Sequence, residues 1–220
     1  MIVGAIPFGI IFGAVAVSSG LSAGGAAAMS AVVFAGAAQF ISLGLIAAGA
    51  NLPIIVLTTL IVNLRHALYS ATLAHHLKGL PQRWYLPLGF WLTDESFVVA
   101  ARYFEHAPVG PAKRWYLLGS EIFMYANWQL MTWIGVRAGQ TMPDLRNWGL
   151  DFALVVTFIG ILVPEIKSRP TLAAVLVAGS TAMLANNLPN QSGLLLAAIV
   201  GIGTGVFLES RAAAASGILA

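Results

Sequence analysis

One stretch of the sequence, Thr58 to Ser70, carries a basic residue among polar side chains that recur at helical spacing. At about 100° per residue, these side chains form two neighbouring stripes on a helix: Thr59, Asn63, His66 and Ser70, and beside them Thr58, Arg65 and Tyr69. A charge inside a membrane is costly, so Arg65 needs a partner or a function if this helix crosses one. The alternative is that Arg65 lies near the helix end and its long side chain reaches water.

Two adjacent acids, Asp94 and Glu95, interrupt a second apolar stretch, from Leu86 to Val99. Adjacent residues on a helix point about 100° apart, so both carboxylates cannot meet the same partner. We therefore predict that one of them forms an ion pair with Arg65, whereas the other faces a cavity. The alternative is that a span ends here and that both acids are solvated.

The balance of these charges predicts a proton-binding group. If Arg65, Asp94, Glu95 and a further acid, Glu121, are all buried, one positive charge faces three negative ones. An uncompensated buried carboxylate is costly and usually takes up a proton. At least one acid should therefore be protonated or meet a cationic substrate group, as in a site that couples a proton to a zwitterion. The candidate substrate-binding or proton-coupling residues are Arg65, Asp94, Glu95, Asn63, His66, Tyr69, Gln39 and Glu121.

The composition places these residues in a membrane protein. Of the 220 residues, 59% are hydrophobic and only 9% are charged, against about 25% charged in average soluble domains. No Asp, Glu, Lys or Arg occurs from Met1 to Leu64 or from Pro170 to Leu208. Since a spanning helix needs about 20 apolar residues, these two segments alone hold several crossings. A soluble single domain is therefore excluded.

The remaining composition narrows the chemistry. The chain has no Cys, which excludes a disulfide framework, a thiolate metal site and a Cys nucleophile. We expect no cofactor, no metal and no catalytic residue. The net charge of +3 is small and scattered over loops beside apolar spans, which favours contact with lipid headgroups over nucleic acid.

The apolar pattern predicts an all-α, polytopic transmembrane helix bundle that forms a single domain over residues 1–220. Its predicted spans are 2–18, 26–49, 54–74, 87–104, 115–136, 149–164, 171–186 and 192–208. The second span is either one tilted helix or a broken helix whose unwound part faces a cavity. The spans at 149–164 and 171–186 are short, so seven spans and a half-helix are the alternative to eight.

Two repeated patterns predict contacts at the ends and on the faces of these helices. Arg83-Trp84-Tyr85-Leu86 and Arg114-Trp115-Tyr116-Leu117 each open a span, so we expect them at interfaces on opposite membrane faces. Small residues recur every four positions in the first and last spans, which lets helix backbones approach closely. These small residues are Ala5, Gly9 and Gly13, and Ala197, Gly201 and Gly205.

Four motifs in a fixed order resemble those of a known family. They are Pro7-Phe8-Gly9 followed by Phe12-Gly13, then Phe34-Ala35-Gly36-Ala37-Ala38-Gln39-Phe40, then Asn63-Leu64-Arg65-His66 with Tyr69, and then Thr93-Asp94-Glu95-Ser96-Phe97. In these motifs the sequence resembles the AzlC-type family of branched-chain amino acid permeases, the larger component of a two-subunit exporter. The resemblance covers nearly the whole chain, although its motifs lie within Pro7–Phe97.

The resemblance implies a function, a partner and a location. The implied activity is proton-coupled export of branched-chain and related neutral amino acids (Leu, Ile, Val and Met). The implied partner is a small AzlD-like integral membrane subunit, and the implied location is the bacterial inner membrane. Two other classes stay open: a membrane-embedded enzyme that uses His66, Asp94 and Glu95, and an assembly subunit that does not itself transport.

Overall fold

The computed structural model describes residues 2–106, 112–141, 166–188 and 192–215, with a few single residues between 156 and 163. All regular secondary structure in these ranges is helical. Two short 3₁₀ segments, His75–Leu77 and Gln82–Trp84, follow the fourth helix. The α-helices are α1 Ile2–Ser18, α2 Ala23–Val32, α3 Gly36–Ala47, α4 Leu52–Ala74, α5 Tyr85–Phe90, α6 Asp94–His106, α7 Ala112–Thr141, α8 Arg169–Leu184 and α9 Ser192–Ala215.

The predicted spans correspond to helices at most positions. Helices α1, α4 and α9 cover the spans at 2–18, 54–74 and 192–208, α8 covers the span at 171–186 except its last two residues, and α7 extends beyond both ends of 115–136. The prediction for 149–164 lies almost wholly outside the described residues. Two segments, Leu52–Leu77 and Gly193–Ala212, are long and apolar enough by themselves to cross a membrane.

The other two predicted spans are each broken into two helices. The span 26–49 is the broken form of the two alternatives, because α2 ends at Val32 and α3 begins at Gly36. The prediction of one continuous span over 87–104 is wrong, because α5 ends at Phe90 and α6 begins at Asp94. The two acids therefore lie at the start of a helix and not in the middle of one.

The chain divides into two compact units. The first contains 1–43 and 62–154, and the second contains 44–61 and 155–220, so α3 and α4 each contribute to both. The residues predicted to bind substrate or protons all belong to the first unit.

Helix α7 is the axis of the first unit, and α1 packs along it through glycines. A Cβ atom on Gly9 would lie 2.7 Å from Met131 Cβ, and one on Gly139 would lie 3.2 Å from the Ala14 carbonyl oxygen. Later residues of α1 therefore contact later residues of α7, so the two helices run parallel. The small-residue stripe predicted in the first span is an internal helix contact.

The other broken helix, α5 and α6, begins and ends near the N-terminal end of α7. The Trp84 ring before α5 lies 4.9 Å from the Trp115 ring, and the Tyr103 ring near the end of α6 stacks 4.0 Å from Tyr116. The segment from Trp84 to His106 is thus a re-entrant hairpin relative to α7. The prediction that the two Arg-Trp-Tyr-Leu segments lie on opposite membrane faces is wrong, because they contact each other.

In the second unit, α8 and α9 pack through the other small-residue stripe. A Cβ atom on Gly201 would lie 2.8 Å from Ala178 Cβ, and one on Gly205 would lie 3.4 Å from Ala174 Cβ. This stripe also forms a contact inside the chain, as its spacing permits.

Candidate functional site

The first break, between α2 and α3, is stabilised by a buried glutamine. Gln39 has no exposed surface, and its Nε2 donates to the carbonyl oxygens of Val33 at 2.7 Å and Met29 at 3.3 Å. Its Oε1 accepts a hydrogen bond from Trp128 Nε1 at 3.1 Å. Backbone groups freed by a break in a membrane helix need such partners, because no lipid group can supply them. Gln39, a predicted site residue, therefore has both ends of its amide engaged in holding the break.

The second break, between α5 and α6, ends in a helix cap. The Thr93 amide donates to Ser96 Oγ at 2.8 Å, and the Ser96 amide donates to Thr93 Oγ1 at 3.3 Å. This reciprocal pair is a capping box in which Ser replaces the usual Glu. It starts α6 at Asp94 and places Asp94 and Glu95 in the first turn, where carboxylates are favoured by the helix dipole.

The two breaks meet at one residue in the middle of α7. The Tyr125 ring lies 5.0 Å from Phe34 in the first break and 6.0 Å from Trp91 in the second. Tyr125 is nine residues from Tyr116 and twelve from Arg137, or about 14 and 18 Å along the helix. A bilayer core is about 30 Å thick, so the meeting point lies near mid-depth if α7 crosses it.

The two broken helices approach this point from opposite ends of α7. Helix α2 lies against the C-terminal half, where Ser30 Oγ is 3.0 Å from Thr132 Oγ1 and the Ser30 carbonyl accepts from Gln129 Nε2 at 3.0 Å. Helix α5 begins at the N-terminal end, beside Trp115. The pattern of a helix followed by a broken helix therefore occurs twice, in α1 to α3 and in α4 to α6, with opposite orientations.

A cavity of about 330 Å³ lies between the two breaks and α4. A volume of this size is at the lower end of the range for small-molecule sites. Its walls are mostly apolar, and Asn63 and His66 from α4 supply its polar side chains. The lining residues are Val32, Val33, Phe34, Ala35, Asn63, His66, Gly89, Phe90 and Leu92.

An ion pair joins α4 to the start of α6 beside this cavity. Arg65 Nη1 lies 3.0 Å from Asp94 Oδ2, and the two side chains are 27% and 43% exposed. Of the two pairings that the sequence left open, the structure contains the one with Asp94. Both side chains keep part of their surface exposed, so we expect the pair to contribute little to stability.

Polar atoms without partners concentrate around the same place. Nine buried side-chain nitrogen and oxygen atoms in the described part of the chain have no hydrogen-bond partner, and four of them belong to this region. The acceptors among the four are Asn63 Oδ1 and Asp94 Oδ1, and the donors are Arg65 Nε and Trp91 Nε1. Native proteins satisfy most buried polar groups, so these donors and acceptors are candidates for contact with a bound molecule.

The remaining predicted residues lie around this site at different distances. His66 Nδ1 is 3.2 Å from the Asn63 carbonyl oxygen, and the Tyr69 ring stacks 4.4 Å from Phe97 of α6. Glu95 is half-buried at the start of α6. Glu121 is separate: it is fully buried on α7, one helical turn before Tyr125.

Two residues at the meeting point, Trp91 and Tyr125, are not among the predicted site residues. Trp91 contributes an unpartnered indole N–H, and Tyr125 contacts both breaks. The helix-start signal Thr93-x-x-Ser96, with acids between its two hydroxyls, could have located the break and hence Trp91. In the parts of the chain that the structure covers, no three His, Asp or Glu side chains are grouped so as to hold a metal ion.

Comparison with known proteins gives the class of protein. The family model described as AzlC protein matches residues 1–142, about two thirds of the chain. The chain is 34% identical to an uncharacterized membrane protein of Archaeoglobus fulgidus over 200 residues, which cover 89% of this chain and 85% of that protein. No solved structure matches the chain.

Two further relatives have more specific names. The inner membrane protein YgaZ of Escherichia coli (strain K12) is 28% identical over 78% of this chain and 71% of its own length. The branched-chain amino acid transport protein AzlC of Bacillus subtilis (strain 168) is 28% identical over 71% of this chain and 60% of its own length. The chain belongs to the AzlC family, whose named relatives here are membrane proteins.

Proposed function

We propose that the chain is a transporter of neutral amino acids that acts as one domain in the cell membrane. The observation that supports this best is the cavity between the two helix breaks, with the Arg65–Asp94 pair beside it. Substrate sites of secondary transporters commonly lie near mid-membrane between discontinuous helices. The name of the Bacillus subtilis relative supports a branched-chain amino acid as the substrate.

The unpartnered atoms fit the two charged ends of an amino acid. The donors Arg65 Nε and Trp91 Nε1 suit the α-carboxylate, and the acceptors Asp94 Oδ1 and Asn63 Oδ1 suit the α-ammonium. On binding, Arg65 would therefore pair with the carboxylate of the substrate and Asp94 with its ammonium group, in place of their ion pair with each other. The net charge of the site then favours a zwitterion over a cationic or anionic amino acid.

The cavity walls suit an apolar side chain. Val32, Val33, Phe90 and Leu92 present no charged group to it. An apolar pocket distinguishes one methylene by only about 1–3 kcal/mol, so we expect Leu, Ile, Val and Met to be accepted with modest preferences.

The opposite orientation of the two broken helices supports alternating access. In transporters built from inverted repeats, one repeat rocks against the other around a fixed site. We infer that the breaks of α2–α3 and α5–α6 open alternately to the two sides. We then expect seven or eight membrane-inserted segments, of which two are these broken helices.

The distribution of basic residues supports an orientation. Lys78, Arg83, Lys113 and Arg114 gather at the N-terminal end of α7, whereas the described residues at the other end include one basic residue, Arg137, and the loop Ser19–Ser22 there has no charge. Cytoplasmic loops carry an excess of Lys and Arg, so the N-terminal end of α7 faces the cytoplasm. Export, coupling to protons and a small AzlD-like membrane subunit complete the proposal, as the family resemblance implies.

Counterflow in proteoliposomes tests this function. Vesicles loaded with unlabelled leucine and containing the protein, with and without the small subunit, should take up labelled leucine, but labelled lysine should not enter. Arg65→Gln should reduce leucine counterflow at least tenfold because the carboxylate loses its cation, whereas Arg83→Gln should not change it. Equal counterflow in the Arg65 and Arg83 variants, or equal uptake of lysine and leucine, would contradict the proposal.

A further inference from the structure

Among the residues that the structure describes in the first unit, Glu121 is an ionisable group without an ion pair or a hydrogen bond. Its side chain has no exposed surface, and neither Oε1 nor Oε2 has a hydrogen-bond partner among the residues that the structure describes. Every other acid in the first unit's described helices, which are Asp94, Glu95 and Glu105, is at least partly exposed. Burial of an ionised carboxylate without a partner is costly, so the geometry favours the protonated, neutral form of Glu121 in this conformation.

The helices packed against α7 bring no cation to Glu121. Helices α1, α2 and α5 contain no charged residue. On α6 the buried positions are Ser96, Ala100 and Phe104, while Arg102, Glu105 and His106 are exposed. Asp94 at the start of α6 pairs with Arg65, and Glu95 beside it is half-buried.

The basic groups nearest the start of α7 are engaged elsewhere. Lys113 Nζ donates to the Phe104 carbonyl oxygen at 3.0 Å and lies 3.4 Å from His76 Nδ1. His75 stacks on His76, and Arg114 lies over the Trp84 ring. None of these groups forms an ion pair or hydrogen bond with Glu121 in the part of the chain covered here.

The position of Glu121 links it to the cavity. It lies four residues before Tyr125, so the two side chains are neighbours on one face of α7. Tyr125 contacts both helix breaks, and its hydroxyl donates to the Ala31 carbonyl oxygen at 3.2 Å. A movement of either break that changes the packing of Tyr125 would therefore change the surroundings of Glu121 on the same helix face.

We propose that Glu121 is the proton-carrying residue of the transporter and is separate from the groups that bind the amino acid. In the conformation described here the proton stays on the carboxyl group. When a break moves and admits water, the carboxyl O–H bond breaks, the proton passes to water and the carboxylate remains. The role in transport rests on the proposed function, whereas the buried protonated carboxyl group does not.

Two measurements on the full chain test it. The first is the pH-dependent infrared difference spectrum, in which a protonated carboxyl group out of contact with water gives a distinct C=O band. Glu121→Gln should remove that band, and the matched variant Glu95→Gln should retain it. A band that survives in Glu121→Gln would overturn the proposal, and it would do so even if the protein transports no amino acid.

The second measurement separates exchange from accumulation. With a pH difference of about one unit, one coupled proton supports up to about tenfold accumulation of leucine. Glu121→Gln should keep leucine counterflow but lower accumulation to no more than the outside concentration, whereas Glu121→Asp should restore part of it. Normal accumulation in Glu121→Gln, or its loss only in Glu95→Gln, would overturn the assignment. Absence of counterflow in the unmodified chain would instead contradict the proposed function.

Discussion

Replacement of Gly13 by alanine should destabilise the protein by forcing α1 away from α7. The added Cβ would contact the Thr132 carbonyl oxygen and would lie 2.7 Å from the Val136 nitrogen. Both are backbone atoms, so no side-chain rotation relieves the contact and the two helices must separate. Overpacking of this kind typically costs about 1–3 kcal/mol.

A matched control lies on the same helix. Gly4 belongs to α1, and a Cβ atom there would meet nothing within 4 Å. Gly4→Ala should therefore be neutral or stabilise by up to about 1 kcal/mol through helix propensity. Because both variants gain the same propensity, the difference between their stabilities isolates the packing cost of about 1–3 kcal/mol.

Thermal unfolding of the detergent-solubilised protein measures this difference. At about 2–4 °C per kcal/mol for a chain of this length, a difference of 2 kcal/mol is about 4–8 °C in Tm. On α7, Gly135→Ala should behave like Gly13→Ala, because its Cβ would contact the Ile10 carbonyl oxygen, and Gly119→Ala should behave like Gly4→Ala. Equal Tm values for Gly13→Ala and Gly4→Ala would refute the close packing of α1 on α7.

Three further predictions follow from the site and its surroundings. The chain has no Cys, so single cysteines can be introduced and labelled selectively. Cysteines at Gln82 and Ala112 should react with an impermeant reagent from the same side of a sealed membrane, and one at Gly20 should react from the other side. Labelling of Gln82 and Ala112 from opposite sides contradicts the re-entrant hairpin. Gln39→Leu should cost about 1–3 kcal/mol, because Trp128 Nε1 and the Val33 carbonyl lose their buried partner, and Gln140→Leu at an exposed position should cost little; equal Tm values refute this. Asp94→Asn should lower stability by less than about 1 kcal/mol, since the pair is partly exposed, yet should reduce leucine counterflow severalfold; a large stability loss with normal counterflow would make the pair structural.

The sequence predicts the helices that are uniformly apolar. The bounds of α1 follow from a long apolar run without charge, those of α4 from an apolar run whose one charged residue is Arg65, and the small residues Gly9 and Gly13 indicate a close helix contact. The partner of that contact could not be predicted, because spacing describes only one of the two surfaces. Helix α7 begins earlier than predicted. The charges of Lys113 and Arg114 indicate a loop by hydropathy, but Lys113 is buried against α6.

The geometry of the site depends on features that hydropathy does not encode. The run from Leu86 to Val99 is apolar on both sides of Thr93–Ser96, so hydropathy predicts one span, but the capping box and the re-entrant path divide it. Arg65, Asp94 and Glu121 were identified because ionisable residues in apolar segments are rare. Packing against α4 and α7 determines which acid pairs with Arg65 and which acid is fully buried.

The proposed function requires that a neutral amino acid bind between the two helix breaks. A cysteine introduced at Phe90, which lines the cavity, should react with a small thiol reagent, and saturating leucine should slow that reaction at least tenfold. A cysteine at Val98, which is exposed on α6 and does not line the cavity, should react at the same rate with and without leucine. If leucine binds in this cavity, only the reaction at Phe90 slows. Equal protection at both positions, or no protection at Phe90 in a protein that catalyses leucine counterflow, would show that it does not bind there.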